Sequence, residues 1–185
     1  MPSLCYTELL SIISRFPEFN FNNIKVFYES GTYYGTTTLG MQPYFEYIIT
    51  TEVSTLIYNN IHTYLLQFSN ILHINGASEN ILEDILLKTF KNNEIIFFLD
   101  GHYSSEDTSF NILEVPLLQE LEIINKYYKK NTILIIDDYN LFETNINEDW
   151  SNISITNILN CFTYNQIYNY YIENNRMIII IKEYT

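Results

Sequence analysis

"QIYNYYI" at 166–172 and "RMIIIIKE" at 176–183 are two β-branched and aromatic runs with only "ENN" at 173–175 between them. Three residues cannot hold a crossover helix, so these two strands must pair antiparallel as a hairpin. The chain before them has a different rhythm. "IKVFY" (24–28), "YIITTE" (47–52), "ILHIN" (71–75), "EIIFFLD" (94–100) and "TILIID" (132–137) read as strands. Each is followed by a loop and a stretch with helical spacing, at 36–42, 54–67, 79–91, 115–129 and 154–161. Several of the strands are apolar along their whole length, as parallel strands covered on both faces are; a half-exposed strand would alternate. Strand and helix in alternation predict an α/β fold, a three-layer α/β/α sandwich around a seven-stranded, mostly parallel sheet that ends in the antiparallel hairpin. Residues 4–16 read as a helix packed on the outside. The whole of 1–185 reads as a single domain, with 1–23 as an N-terminal helical extension and no internal repeat or linker.

Composition narrows the partners. A chain of 185 residues with 47% apolar residues is about one domain long and can bury a substantial core. Its formal charge is −13, and no basic cluster exceeds Lys129-Lys130. The phosphate-neutralising surface that nucleic acids require is therefore missing from the sequence, and DNA and RNA are not expected partners. Cys5 and Cys161 stand far apart in no metal or redox spacing, which leads us to expect two ordinary buried thiols in a reducing compartment. The N-terminus lacks a basic n-region and a long apolar h-region, and no apolar run approaches the roughly 20 residues of a membrane span. A soluble, intracellular, cytoplasmic protein without a membrane partner is the expectation. Abundant Asn, Ile and Tyr with only two Arg fit the codon usage of an AT-rich genome, which bears on origin and not on chemistry.

In an open parallel sheet, ligands bind outside the carboxyl ends of the strands. Those ends read Glu29-Ser30-Gly31, Glu52, Asn75-Gly76-Ala77-Ser78, Asp100-Gly101-His102 and Asp137-Asp138, so four of the five are acidic. In "ESGTYYGTTT" (29–38), Gly31 and Gly35 permit close backbone approach to a ligand around Thr32. Glu29 sits where an acid could take a cationic amino group, and Thr36, Thr37 and Thr38 can cap the next helix. Alone, this stretch reads equally well as a tight βα turn. Glu52, roughly 20 residues beyond the glycines, is placed to accept hydrogen bonds from ribose hydroxyls. A basic phosphate cradle and GxGxxG are both missing, so a nucleoside cofactor without phosphates fits better. S-adenosyl-L-methionine is one, and its positive sulfonium suits an acidic site.

The second cluster is Asp100, Asp137 and Asp138, at the ends of strands expected to be neighbours. Three close carboxylates repel and raise one another's pKa, and a hard divalent cation, Mg²⁺ or Mn²⁺, resolves the repulsion. The competing reading has Asp137 and Asp138 capping a turn while Asp100 faces solvent. His102, two residues beyond Asp100, has a resting pKa suited to taking a proton near neutrality. His62 and His73 read as ordinary structural residues.

At these residues the chain resembles the Rossmann-like class I S-adenosylmethionine-dependent methyltransferases, in which five βα units are followed by a hairpin. "ESGTYYGTTT", "FFLDGHYS", "VPLLQELEII" and "ILIIDDYNLF" look like a group of bacterial methyltransferase-like proteins with no firmly assigned substrate. The Asp-Gly-x and Asp-Asp-Tyr pair is also similar to the macrocin-type sugar O-methyltransferases. The likeness runs from about residue 24 to 142. It implies a cofactor site of Glu29, Ser30, Gly31, Thr32, Gly35, Thr37, Glu52, Gly76, Ala77, Ser78 and Asp100. It further implies a metal held by Asp100, Asp137 and Asp138 that grips two adjacent sugar hydroxyls, with His102 as general base. Two positions depart from the family. Tyr33 stands where a glycine is common, and the third strand ends in Gly76-Ala77-Ser78 where the family has an acid-bearing turn that helps hold adenine.

The leading expectation is a metal-dependent O-methyltransferase acting on a hydroxylated small molecule, a sugar or glycan unit. The alternative is a catalytically silent Rossmann-like binding or assembly module, for which 17 Tyr and 12 Phe would supply an interface. A metal-dependent hydrolase ranks third, because no phosphate-binding loop or nucleophile elbow is present. Acceptor contacts are expected in loops 101–114 and 139–153, where Trp150 and Tyr139 either stack on a sugar or close the core. A homodimer through the edge of the Tyr-rich hairpin completes the expectations.

Overall fold

The computed structural model describes residues 3–21, 24–90, 92–102, 114–163 and 166–183. Helix α1 (Tyr6–Ser14) leads to β1 (Val26–Ser30), α2 (Thr36–Met41), β2 (Tyr47–Glu52), α3 (Thr55–Leu65), β3 (Ile71–Asn75) and α4 (Ser78–Asp84). Then follow β4 (Ile95–Leu99), α5 (Leu117–Tyr127), β5 (Thr132–Ile136), α6 (Ile155–Asn160), β6 (Ile167–Glu173) and β7 (Arg176–Ile181). The seven strands form one sheet in the order β3-β2-β1-β4-β5-β7-β6. β1 to β5 run parallel, and β7 lies antiparallel between β5 and β6. Strand order reverses between β1 and β4, so the crevice of an open α/β sheet opens above that pair.

Alternation of side chains divides the core in two. Val26, Tyr28, Phe97, Leu99, Leu134 and Ile136 face α4, α5 and α6, where Leu82, Leu121, Ile124 and Ile158 meet them. Phe27, Ile48, Ile96, Phe98, Ile133 and Ile135 face the other way, onto Leu9, Ile12 and Ile13 of α1 and onto Met41 and Phe45. β1, β4, β5 and β7 are buried along their whole length, which is why their sequences do not alternate. β6 lies at the sheet edge, with Tyr168, Tyr170 and Ile172 more than 40% exposed.

The hairpin is tighter than its three-residue gap suggests. Glu173 pairs with Arg176, leaving Asn174 and Asn175 as a two-residue turn with φ of 51° and 62°. Two consecutive left-handed residues match the twist of a two-residue hairpin, and Asn tolerates that conformation. β1 begins and ends two residues later than the sequence reading placed it. Glu29 and Ser30 therefore lie inside the sheet, opposite Thr50 and Thr51. The long helix expected at 79–91 splits into α4 and a wider π-helical turn, Ile85–Thr89. Cys5 is exposed at the N-cap position of α1 and Cys161 is half-buried, which corrects the expectation of two buried thiols. Among the described residues no helix is long and apolar enough to cross a membrane.

Candidate functional site

A cavity of about 560 Å³ opens at the carboxyl ends of β1 to β5. Of the site residues expected from the sequence, all but Ser30 and Gly35 line it. Ser30 is fully buried behind the wall, where its Oγ accepts the Gly101 N–H at 3.2 Å and ties the end of β1 to the loop after β4. Gly35 is the left-handed N-cap of α2, packed toward Ile61 and Leu65.

Strands β1 to β3 build one half of the cavity. The Glu52 carboxylate accepts the backbone N–H of Tyr33 at 2.9 Å and of Ser54 at 2.9 Å, which fixes its direction and leaves each oxygen a second lone pair. Burial pushes its pKa up, and the backbone N–H groups hold that rise back. Glu29 is 2% exposed, and its Oε2 accepts hydrogen bonds from Thr38 and, at 2.8 Å, from Thr50, whose hydroxyl in turn meets that of Thr32 at 2.7 Å. Burial pushes the Glu29 carboxyl up to about 7 against the pull of these hydroxyls. Gly31 has φ of 81°, and a Cβ there would stand 2.5 Å from the Asp100 carbonyl oxygen, so only glycine lets β1 pass this close to β4. Tyr33 takes the left-handed conformation itself, at φ of 47°, with its ring half exposed against Tyr34. Ser78 lines the cavity near Glu120, a buried α5 residue whose carboxyl burial pushes up to about 7 while the Ser78 hydroxyl pulls it back.

Strands β4 and β5 build the other half. The two carboxylates of Asp137-Asp138 diverge, because Asp138 has a left-handed backbone at φ of 59°. Asp137 accepts the Asp138 N–H at 3.0 Å and pairs with the buried guanidinium of Arg176, with Nε–Oδ1 and Nη2–Oδ2 both at 3.3 Å. Arg176 also donates to Glu8 of α1 at 2.7 Å, so α1 is pinned to the end of β5. Asp138 turns the other way. Its Oδ2 lies 3.0 Å from His102 Nε2, and its buried Oδ1 has no hydrogen-bond partner among the described residues. His102 Nδ1 meets both oxygens of Glu148, at 3.0 and 2.9 Å, and Glu148 also accepts the Trp150 indole N–H at 2.8 Å.

Burial alone would lower the His102 pKa, but the Asp138 and Glu148 carboxylates outweigh it and push the ring to about 10. With both nitrogens engaged by carboxylates, the imidazole as it stands has no lone pair with which to take a proton. Asp100 is raised well above the usual carboxylate range by burial and by Asp137, and His102 offsets this in part. Asp100, His102 and Asp138 each bring a ligand atom within 4.8 Å of the other two. The structure thus brings together two of the three expected metal acids with His102, while Asp137 is drawn off by Arg176. The orphaned oxygen of Asp138 and the convergent negative charge fit a divalent cation.

Glu148, Glu120 and Arg176 escaped the sequence reading. Glu148 stands 46 positions from the histidine it holds, and no spacing rule links them. An arginine heading an otherwise apolar, isoleucine-rich strand was the one available signal for a buried counter-ion. Trp150, left open between acceptor and core, is 5% exposed, packs into the core and also lines the cavity. Residues 103–113 of the first acceptor loop lie outside the described residues.

With the geometry in place, comparison with known proteins concerns the fold. No protein-family profile matches the chain, and no curated protein matches its sequence. Solved structures do match. An O-methyltransferase from Bacillus cereus in complex with SAH aligns with a TM-score of 0.64 at 11% identity, over 98% of this chain and 83% of that one. A caffeoyl-CoA O-methyltransferase-like protein from Staphylococcus aureus aligns with a TM-score of 0.63 at 15% identity, over 98% and 85%. The fold is that of the class I methyltransferases. A spermidine synthase from Thermotoga maritima shares it more distantly, with a TM-score of 0.52 at 12% identity, over 87% of this chain and 53% of that one. At these identities the likeness concerns architecture, and the chemistry rests on the residues of this chain.

Proposed function

We propose that the protein is an S-adenosylmethionine-dependent, divalent-metal-assisted O-methyltransferase of a hydroxylated small molecule, a sugar or glycan unit. One observation carries this reading: a single cavity joins an acid fixed by two backbone N–H groups, Glu52, to the convergent cluster Asp100-His102-Asp138 across the switch point of the sheet. On the first side, Glu52 offers its second lone pairs to ribose hydroxyls. Glu29 ionises readily beside a cationic group, and Gly76 and Ala77 form the wall left for adenine. On the second side, Asp100 and Asp138 hold the cation. When bound, the cation lowers the pKa of an acceptor hydroxyl and fixes a neighbouring one, and the methyl donor supplies the electrophilic carbon. The chain's own part is alignment, holding donor and acceptor halves on rigid strand ends so that attack is in line. The acidified hydroxyl would give its proton to solvent, so no separate base is required of His102. Tyr33, one of the two departures from the family, does not disrupt this arrangement: its ring lies half exposed while its backbone keeps the left-handed conformation and its N–H serves Glu52.

The test is transfer of a tritiated methyl group from S-adenosylmethionine to a panel of nucleotide sugars, glycans and catechols with a divalent cation present. Transfer to a hydroxyl that falls at least about a hundredfold in Asp138→Asn, an effect of about 3 kcal/mol, is the expected result. Equal transfer by Asp138→Asn, or labelling of nitrogen or carbon only, contradicts it.

A further inference from the structure

Which side chains converge decides the chemistry of the cation site as well as its charge. Three aspartates would make an oxygen-only set, the kind Mg²⁺ demands. Instead Arg176 removes Asp137, and His102 Nε2 takes its place, 3.0 Å from Asp138 Oδ2 and 3.9 Å from Asp100 Oδ1. Neighbouring ligands of a first-row ion stand about 3 Å apart, so Nε2 and Oδ2 are already at ligand spacing and Asp100 needs to close by about 1 Å. Behind the ring, Glu148 grips Nδ1 with both oxygens and is itself fixed by Trp150. A carboxylate behind one ring nitrogen, with the other nitrogen turned to the site, is how proteins orient a metal-binding imidazole and raise its basicity. The second sign of a ligand is independent of the cluster's charge: Asp138 is 2% exposed and its Oδ1 has no partner among the described residues.

We infer that Asp100, Asp138 and His102 Nε2 hold a divalent first-row transition ion, Fe²⁺, Co²⁺ or Zn²⁺, in preference to Mg²⁺, with Glu148 as the positioning residue of the imidazole. Imidazole suits these ions, whereas Mg²⁺ is bound through oxygen. As the ion enters it displaces the Nε2 proton to solvent, so His102 is then a ligand and not a proton acceptor. This deepens the proposed function and rests on its cation site, not on its methyl donor.

A second imidazole pair, His62 Nδ1 and His73 Nδ1 at 3.3 Å, and the exposed Cys5 could compete for such ions. The full-length chain carrying His62→Gln and Cys5→Ser, stripped with EDTA, is therefore titrated with Co²⁺ and followed by visible absorption. One equivalent is expected to bind, to be displaced by Zn²⁺, and to withstand about a hundredfold excess of Mg²⁺. His102→Ala should cut Co²⁺ affinity at least about tenfold, and Glu148→Gln about 10–100-fold. The Co²⁺ form of the His62→Gln, Cys5→Ser chain should also show a hyperfine-shifted imidazole N–H proton, a readout that needs no substitution at the site. Displacement by equimolar Mg²⁺, absence of that proton, or unchanged Co²⁺ affinity in His102→Ala overturns the inference. SAH titrated into the EDTA-treated chain separates the two ideas. SAH binding without Co²⁺ selectivity sinks the ligand set alone, and Co²⁺ selectivity without SAH binding sinks the methyl-donor reading alone.

Discussion

Glu52 and Asp138 are both buried acids at strand ends of one sheet, 6% and 2% exposed, and they line the same cavity. Glu52 receives two backbone N–H groups that hold it in place. Asp138 faces His102 with one oxygen, and its other oxygen has no partner among the described residues. In the half of the cavity built by β1 to β3 the two acids are thus satisfied by the chain itself, through amides and threonine hydroxyls. The half built by β4 and β5 is left electrostatically incomplete. Native structures leave few buried polar atoms unpaired, so an orphan in a cleft points to something the site takes up. Under the proposed function, the first wall takes the nucleoside of the methyl donor and the second takes the metal.

The largest expected effect breaks this division. Arg176→Met removes the partner of the buried Asp137 and the partly exposed Glu8, and returns Asp137 to the β4–β5 half. Stability should fall by about 3–5 kcal/mol in urea unfolding, and added divalent cation should recover part of it. A change under about 1 kcal/mol would show that Arg176 does not hold the two acids apart.

The next effect sharpens the comparison from beneath the first half. Glu120 is buried between α5 and the strand ends, and burial pushes its carboxyl up to about 7, with the Ser78 and Ser30 hydroxyls pulling it back. A raised carboxyl favours folding while it is neutral. Its contribution is full below the unfolded value near 4.5, declines as pH rises toward 7, and levels off above that, a swing of about 3 kcal/mol. Glu29 shifts in the same direction. Glu120→Gln should therefore match the parent at pH 4 and exceed it at pH 8 by up to about 3 kcal/mol, read as melting temperature against pH. Parallel curves for the two proteins would exclude a titrating Glu120.

The smallest effect has the opposite sign to the usual mutation. Asp100 is destabilised as an anion by burial and by Asp137. In EDTA, Asp100→Asn should leave stability unchanged or raise it by about 1 kcal/mol, and it should abolish the rise in melting temperature that a divalent ion gives the parent. A clear loss of stability in EDTA would mean that Asp100 is held by the fold and not kept for a ligand.

Much of the architecture could be read before the structure. Unalternating runs reported strands covered on both faces, and the short gap at 173–175 forced the hairpin that distinguishes this sheet. The acids at the strand ends were legible for the same reason, since a strand's end is visible in its sequence. What stayed hidden depends on single backbone angles and distant partners. Asp137 and Asp138 are adjacent and identical, and only the left-handed φ of Asp138 and an arginine 39 positions from Asp137 separate their roles. Glu120 lies on a helix whose spacing marks that face as buried without saying that an acid would be tolerated there. Glu148 sits in an irregular loop, where sequence carries no register.

The central claim is that the acids of the β1–β3 half are already placed for a nucleoside, whereas those of the β4–β5 half await a cation. It is tested most directly by calorimetric titration of SAH into the EDTA-treated protein. Stoichiometric binding with micromolar Kd, unchanged in the Asp138→Asn protein, is the predicted result. No heat with the parent, or binding that appears only when a divalent ion is supplied, would contradict it.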